Sequence, residues 1–411
     1  MPRLPEHLEV LRDGAFRRLL GAVAISWFGD RMVTVALAFA VIGIGGSATA
    51  IGLVLAVRTG ALLVSLLLGG VVADRVARRA VMIGADLARL ATQGLLAGLV
   101  IAGEAEVWSI ALLTGLGGIA TGFFNPASTG LLPAIVAPER LQQANGVRAT
   151  AMSAGEIGGP VLAGVLVAAV GAGWALAVDA ATFGVSALLL MGVRVPGRVE
   201  RAASGFLEDL REGWTTFRGT TWVWTFVLWA AFANVTWGAW NVLGPVVADR
   251  ELGGAAAWGA INAALGVGAL LGAVAAIRQM PRRPVLAATL TGFTQIPALA
   301  LLAAGAHTAP LAAGALAFGV GMMFGNAVWE SALQRHIRPE ALSRVSAYDW
   351  FGSFAFAPVG LAIWGPIAAS VGTGEALWLA AAIALVSTFA LLCVRDVRRL
   401  QTPIGAAAPR T

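Results

Sequence analysis

Gly69-Gly70-Val71-Val72-Ala73-Asp74-Arg75-Val76-Ala77-Arg78-Arg79 separates two largely apolar runs, residues 49–68 and 80–101. Asp74 stands directly before Arg75, and the Arg78-Arg79 pair follows two residues later. Each flanking run is long enough, at about 20 residues, to cross a bilayer core of ~30 Å. A short charged connection between two such runs joins membrane helices and marks the face on which they turn. Outward from it the pattern repeats along the chain. The spans read as 18–44, 49–72, 80–102, 108–132, 147–170, 173–193, 221–247, 256–277, 285–305, 310–332, 347–370 and 375–394. The expected fold is an all-α polytopic membrane protein with twelve transmembrane helices.

Composition excludes a soluble protein of the same length. Hydrophobic residues make up 58% of the 411 and charged residues 12%, against roughly 25% charged in soluble domains. The apolar stretches are continuous and not alternating, which argues against a β-barrel. The one cysteine, Cys393, leaves no cysteine pair for a disulfide or a metal site. Residues 1–18 carry charges of both signs and do not read as a cleavable signal. No phosphate loop, nucleophile elbow or metal-ligand spacing appears, so no enzyme, cofactor or metal is expected.

The net charge of +6 raises the question of a nucleic-acid partner, and topology gives a simpler account. All 28 basic residues are arginine, and all but Arg31, Arg58, Arg89 and Arg250 fall in segments on one side of the twelve-span reading. The opposite loops carry Glu104, Glu106, Asp249, Glu251 and Glu375. The positive-inside rule then puts both termini in the cytoplasm, with no nucleic acid needed.

The longest connection, 194–220, divides two six-span halves. Ser204 is followed by acids, with Phe206, Leu207, Leu210 and Trp214 at helical spacing, which reads as an amphipathic helix on the membrane face. The expected organisation is an N-terminal half at 1–193, the linker at 194–220, a C-terminal half at 221–395 and a tail at 396–411. Internal repeats support the halves. Pro138-Glu139-Arg140-Leu141 returns as Pro339-Glu340-Ala341-Leu342, and Phe123-Phe124-Asn125 as Phe324-Gly325-Asn326, at one common offset. Parallel repeats of this kind occur in secondary transporters.

These residues carry a family resemblance. Gly70-x-x-x-Asp74-Arg75-x-Ala77-Arg78-Arg79 resembles the signature between spans two and three of the major facilitator superfamily, with Ala77 where that signature usually has glycine. Gly155-x-x-x-Gly159-Pro160-x-x-Ala163-Gly164 in span five is similar to the superfamily's antiporter motif, with Ala163 in place of a glycine. Asn125-Pro126-Ala127, Glu139-x-Leu141, Ala144-Asn145, Gly159-Pro160 and Asp179-Ala180-Ala181-Thr182-Phe183 resemble the macrolide-efflux and enterobactin-exporter branch, of drug:proton antiporter type. The resemblance implies a central cavity between the halves, export by alternating access, and energy from a proton gradient with no cofactor.

Charged residues inside spans are costly and are functional candidates by default. Asp30 and Arg31 lie midway along span one, and Arg58 lies ~13 Å deep in span two at 1.5 Å per residue. An Asp30–Arg58 pair would either respond to protons or substrate or lock the spans together. Glu156, ~15 Å deep in span five, is the second proton-coupling candidate, with a helix–helix hydrogen bond as its plainer role. Around it Gly155, Gly159, Pro160 and Gly164 form a small-residue stripe with a helix-kinking proline, read as bending and packing rather than ligand binding.

Asp86 and Arg89, one turn apart in span three, are expected close to the cytoplasmic surface. There they would pair with each other or with the opening stretch. With Gly70, Asp74, Arg75, Arg78 and Arg79 they form an expected inner gate. Asp179 reads as a satisfied, peripheral polar contact. Trp27, Asn234, Trp237, Asn241 and Asn262 are the expected substrate cavity: Asn234, Trp237 and Asn241 share one helix face, and aromatic walls with a few amides suit an amphiphilic organic compound.

The function expected is proton-coupled export of a small amphiphilic compound, such as a drug, secondary metabolite or siderophore, from a bacterial cytoplasmic membrane. The protein is expected to act as a monomer, its partners being substrate, protons and lipid. An importer of the same fold, or a lipid-moving or sensor protein, stands as the alternative. The buried acids weigh against lipid.

Overall fold

Two helix ends in the first half show the chemistry that stops them. The computed structural model describes residues 10–194, 214–279 and 281–401. Asp13 caps the first helix, accepting from the Ala15 and Phe16 amides at 2.7 and 3.2 Å, as an N-terminal acid does. Gly103 ends the third at φ 75°, in the left-handed region that glycine enters without strain.

The first six helices are α1 (Gly14–Gly43), α2 (Ala48–Arg75), α3 (Arg78–Ala102), α4 (Val107–Ile135), α5 (Leu141–Val170) and α6 (Ala172–Met191). Then come α7 (Thr221–Val247) and α8 (Ala255–Arg278). The next, α9, is Pro284–Leu290 and Gln295–Ala303 joined by a 3-10 turn. It is followed by α10 (Thr308–His336), α11 in two segments (Pro339–Phe354 and Ala357–Val371), and α12 (Thr373–Cys393). Twelve spans are long and apolar enough to cross a membrane, and no strand occurs among the described residues. The expected amphipathic helix at 204–214 lies almost wholly outside the described residues, while 214–219 is helical.

The opening stretch is helix more than loop. α2 runs on through Asp74 and Arg75, α3 begins at Arg78, and only Val76 and Ala77 separate them. The charged residues thus occupy helix ends and not a connecting loop.

The chain forms two compact units. Unit one holds Met1–Ala202 with Asn241–Ala263 and Leu361–Ser370; unit two holds Ala203–Trp240, Ala264–Gly360 and Val371–Thr411. In unit one α2 packs on α4, α3 on α4 and α6, and α1 on α5 and α6. Glycines let α2 and α4 approach backbone to backbone. A Cβ on Gly118 would meet the Arg58 carbonyl, and one on Gly122 the Ser65 hydroxyl. Without a hydrophobic drive between helices in lipid, such close contact supplies the attraction. Unit two repeats the device: Gly268 and Gly272 of α8 abut the Leu316 and Val320 backbones of α10, and Gly319 abuts Leu265.

The two interiors differ. One end of unit one is filled by Phe16, Leu19, Met82, Phe124, Leu131 and Leu190. Unit two has an aromatic core, where Phe226 of α7 stacks on Trp329 of α10 at 3.8 Å between ring centres and Trp222 meets the same ring edge-on at 5.4 Å.

Candidate functional site

Three helical faces turn polar groups into unit one. On α3, Asp86, Arg89 and Gln93 follow i, i+3, i+7 and are all buried. On α6, Asp179, Thr182 and Ser186 follow the same spacing and are also buried. On α1, Trp27 lies one turn before Asp30 and Arg31. Helical geometry stacks such residues on one side.

Asp30 is the hub. Its Oδ1 accepts from Arg58 Nη2 at 3.1 Å and its Oδ2 from Arg89 Nη1 at 3.4 Å. Arg89 also donates to Asp86 Oδ1, and Ser186 Oγ donates to Asp86 Oδ2 at 2.6 Å. The Arg89 guanidinium lies between the rings of Phe124 and Phe183, 4.3 and 4.2 Å from their centres, a cation–π arrangement favoured for a desolvated charge. Asp86 is 0% and Arg89 2% exposed.

Asp86 and Arg89 pair with each other as expected, and the pair is buried in the bundle and continues to Asp30 and Ser186. A buried charge is stable only when paired and hydrogen-bonded, and the interior partners satisfy that.

Asp179, expected at the periphery, is fully buried. Gln93 Nε2 donates to its Oδ2 at 2.8 Å, while Asp179 Oδ1 and Gln93 Oε1 have no hydrogen-bond partner. Gly29 makes room for it: a Cβ there would run into Asp179 and Thr182.

Arg31 and Glu156 form a looser pair at 3.5 Å, each about one-third exposed (35% and 38%), with Arg31 4.4 Å above the Trp27 ring. The stripe around Glu156 is a packing seam. A Cβ on Gly155 would meet Trp27, one on Gly159 would meet Arg31 and Phe28, and one on Gly164 would meet Ala255 and Gly259 at the start of α8. Pro160 lies inside α5, and its carbonyl abuts Gly259.

Of the expected gate, Gly70, Asp74 and Arg75 fall in the last turns of α2. Arg78 Nη1 donates to the Gly130 carbonyl of α4 at 2.6 Å. Arg79 donates to the Leu190 carbonyl at 2.9 Å and to that of Met191, and Arg18 to that of Gly192. These carbonyls close the C-terminal end of α6, where positive side chains complement the helix dipole.

The expected cavity residues do not share one unit. Trp27, Asn241 and Asn262 belong to unit one, Asn234 and Trp237 to unit two. Asn262 Nδ2 donates to the Trp258 carbonyl at 2.9 Å, and Asn234 Nδ2 to Ser353 and Ala230 carbonyls, each at 3.0 Å. Trp237 packs on Trp240 and Phe318, with ring centres 6.0 and 5.2 Å away. Elsewhere in unit two, Asp349 accepts from Trp329 Nε1 at 3.1 Å.

A cavity of about 30 Å³ opens inside unit one, lined by Trp27, Asp30, Arg89, Asn125, Ser128 and Arg148 among others. It holds a water-sized group. Arg148 Nη2 donates to Ser128 Oγ at 3.3 Å. Gln93, Ser128 and Ser186 are not among the residues that sequence reasoning singles out. The i, i+3, i+7 spacing of polar groups on α3 and α6 marks Gln93 and Ser186, whereas Arg148, which the repeat offset matches with Asp349, reads from sequence as a cytoplasmic-end charge and not as a cavity residue.

Twelve membrane-length helices, with a buried acid–arginine network and a small polar cavity inside unit one, define a multi-pass membrane protein. Residues 19–357 match the family model of the Major Facilitator Superfamily, and the chain belongs to that family. Macrolide efflux protein A of Streptococcus pyogenes is 23% identical over 341 residues, 80% of this chain and 84% of that one. Multidrug efflux pump Tap of Mycolicibacterium fortuitum is 28% identical over 389 residues, 88% and 91%. Among solved structures, a single-substitution mutant of the nucleoside transporter NupG superposes with a TM-score of 0.76 at 14% identity, covering 92% of this chain and 98% of that one; that likeness shows the fold. The protein is a multi-pass protein of the bacterial inner membrane.

Proposed function

We propose that this transporter is a proton-coupled exporter of a small amphiphilic organic compound, working by alternating access with both termini in the cytoplasm. The efflux-named relatives support the direction, and the arginine distribution supports the orientation. The observation that carries proton coupling is Asp30, held by two guanidinium groups from two different helices. Protonating Asp30 removes the charge that holds Arg58 and Arg89, so one proton loosens α1 from α2 and α3 together. Glu156 offers the same coupling of α1 to α5 through Arg31. A ligand or proton shifts such an equilibrium only by its differential affinity for the two states, and a carboxylate with state-dependent partners supplies that difference.

The test begins with a pump-deficient host expressing the chain, screened for compounds to which it becomes resistant. A compound so found should accumulate in energised everted vesicles, and accumulation should stop when the proton gradient is collapsed. Asp30→Asn with Glu156→Gln should abolish it while leaving folded protein in the membrane. Full gradient-driven accumulation by the double variant would overturn the coupling assignment. A reporter fused at the C-terminus that is active only in the periplasm would overturn the orientation.

A further inference from the structure

Three nitrogen donors on the side chains lining the small cavity of unit one have no acceptor: Trp27 Nε1, Arg89 Nε and Arg148 Nε, all buried. Buried donors without partners are uncommon, because each forfeits the hydrogen bond it had in water. The other arginines around the cavity are paired with acids, and Asp179 is buried beside the same network. Arg31 faces Glu156, Arg58 faces Asp30, and Arg89 faces both Asp30 and Asp86. Arg148 is the exception: among the described residues no acid pairs with it, and its one recorded bond is to the Ser128 hydroxyl. Asp30, the only acid in the lining, is already shared between Arg58 and Arg89. The lining therefore has three unsatisfied donors and an arginine that no acid pairs with, while its acceptors are the shared Asp30 carboxylate, the Asn125 amide oxygen and the Ser26 and Ser128 hydroxyls. Its remaining walls are largely apolar, with Val23, Phe124 and Met152.

We propose that Arg148 and the Trp27 N–H hold the anionic oxygen of the transported compound, so that the substrates are organic acids, carboxylates or phenolates with an apolar body. The proposal rests on the transport reading above and names its substrate class. At about 30 Å³ the cavity takes the charged end of such a molecule and not the whole of it. An anion there satisfies the orphaned donors and neutralises Arg148 through charge-assisted hydrogen bonds, which are stronger than neutral ones. A protonated amine in the same place would face the unpaired guanidinium and offer no acceptor.

The test is binding to the purified full chain in lipid nanodiscs, without a gradient, using three probes of matched size: 2-naphthoate, 2-naphthylmethanol and 2-naphthylmethylammonium. Wild type should bind naphthoate tightest. Arg148→Gln should weaken naphthoate at least tenfold and leave naphthylmethanol unchanged, with Arg148→Lys keeping part of the affinity. Trp27→Phe, which keeps a ring but removes the N–H, should weaken naphthoate severalfold and spare the other two. Absence of naphthoate binding, a preference for the ammonium probe, or an Arg148→Gln affinity equal to wild type would each overturn the proposal. Unchanged naphthylmethanol binding shows that a variant is folded. If naphthoate binds through Arg148 yet is not moved outward in energised vesicles, the export reading fails and the anion site stands. If Arg148→Gln slows transport without changing relative binding of the three probes, Arg148 is a gating charge and the site assignment is wrong.

Discussion

Asp86→Ala is the sharpest probe of the interior network, because what it leaves behind can be read from the geometry. Asp86 accepts from Arg89 and from Ser186 and is fully buried. Without it, Arg89 stays at 2% exposure between two phenyl rings. Among the described residues its one remaining acid partner is Asp30 at 3.4 Å, already engaged by Arg58 at 3.1 Å. Removing one partner of a buried ion pair costs about 3–5 kcal/mol, because the other charge is left uncompensated. The stranded Ser186 hydroxyl adds about 1 kcal/mol or more. The penalty is therefore tied to the charge left on Arg89, and Asp86→Ala/Arg89→Met tests that directly. Methionine keeps an unbranched, polarizable chain between Phe124 and Phe183, and Asp30 retains Arg58. The double variant should recover at least about 2 kcal/mol of the loss, since replacing a buried pair by apolar groups is often close to neutral. Equilibrium unfolding in mixed detergent micelles, followed by tryptophan fluorescence, measures both. A double variant no more stable than Asp86→Ala would show that the cost is lost packing and not stranded charge.

Asp179→Asn should change stability by less than about 1 kcal/mol, because the amide can donate to Gln93 Oε1 while still accepting from Nε2 and so satisfies both orphaned oxygens; Asp179→Ala, measured in the same unfolding assay, should cost about 2 kcal/mol or more. Gly118→Ala should cost about 1–3 kcal/mol by driving a Cβ into the Arg58 carbonyl, whereas Gly84→Ala, with nothing within 4 Å, should be neutral or better; folded yield on size-exclusion chromatography separates them. Trp329→Phe should keep the stack on Phe226 but remove the donor to Asp349, a loss of about 1–2 kcal/mol in thermal unfolding.

The architecture was legible because the bilayer leaves few options. Every backbone group must be satisfied inside the span, so length and hydropathy place twelve helices with little help from context. The opening stretch was legible as a helix junction but not as helix itself. Nothing in Asp74 and Arg75 alone says that α2 continues through them, and the seam of Gly69 against Gly122 that holds α2 on α4 at that end is tertiary. The Asp30–Arg58 pairing was readable as two charges at compatible depth. The inward turn of Asp86 and Arg89 was not, since it depends on Phe124 and Phe183 arriving from two other helices. The place of Arg148 beside a cavity was hidden for a different reason. The positive-inside rule accounts for an arginine near a span end, and only the cavity beside it sets it apart from those that merely obey the rule.

The repeat sharpens where function resides. Both halves keep the close glycine seam, α2 on α4 and α8 on α10, because backbone contact is how adjacent helices hold together in lipid. What lies beside the seam has diverged. In the first half α3 and α6 present Asp86, Arg89, Gln93, Asp179 and Ser186 inward. In unit two the described interior is aromatic, with Trp222, Phe226 and Trp329 in contact and Gln295 Nε2 donating to the Thr236 hydroxyl at 3.2 Å. A scaffold requirement would have kept both interiors alike, since the packing problem is the same in each. The concentration of paired charge in one half is thus a cost carried for something other than folding. Under the proton-coupling proposal, removing it by apolar replacement should leave a stable protein whose transport no longer responds to collapse of the proton gradient.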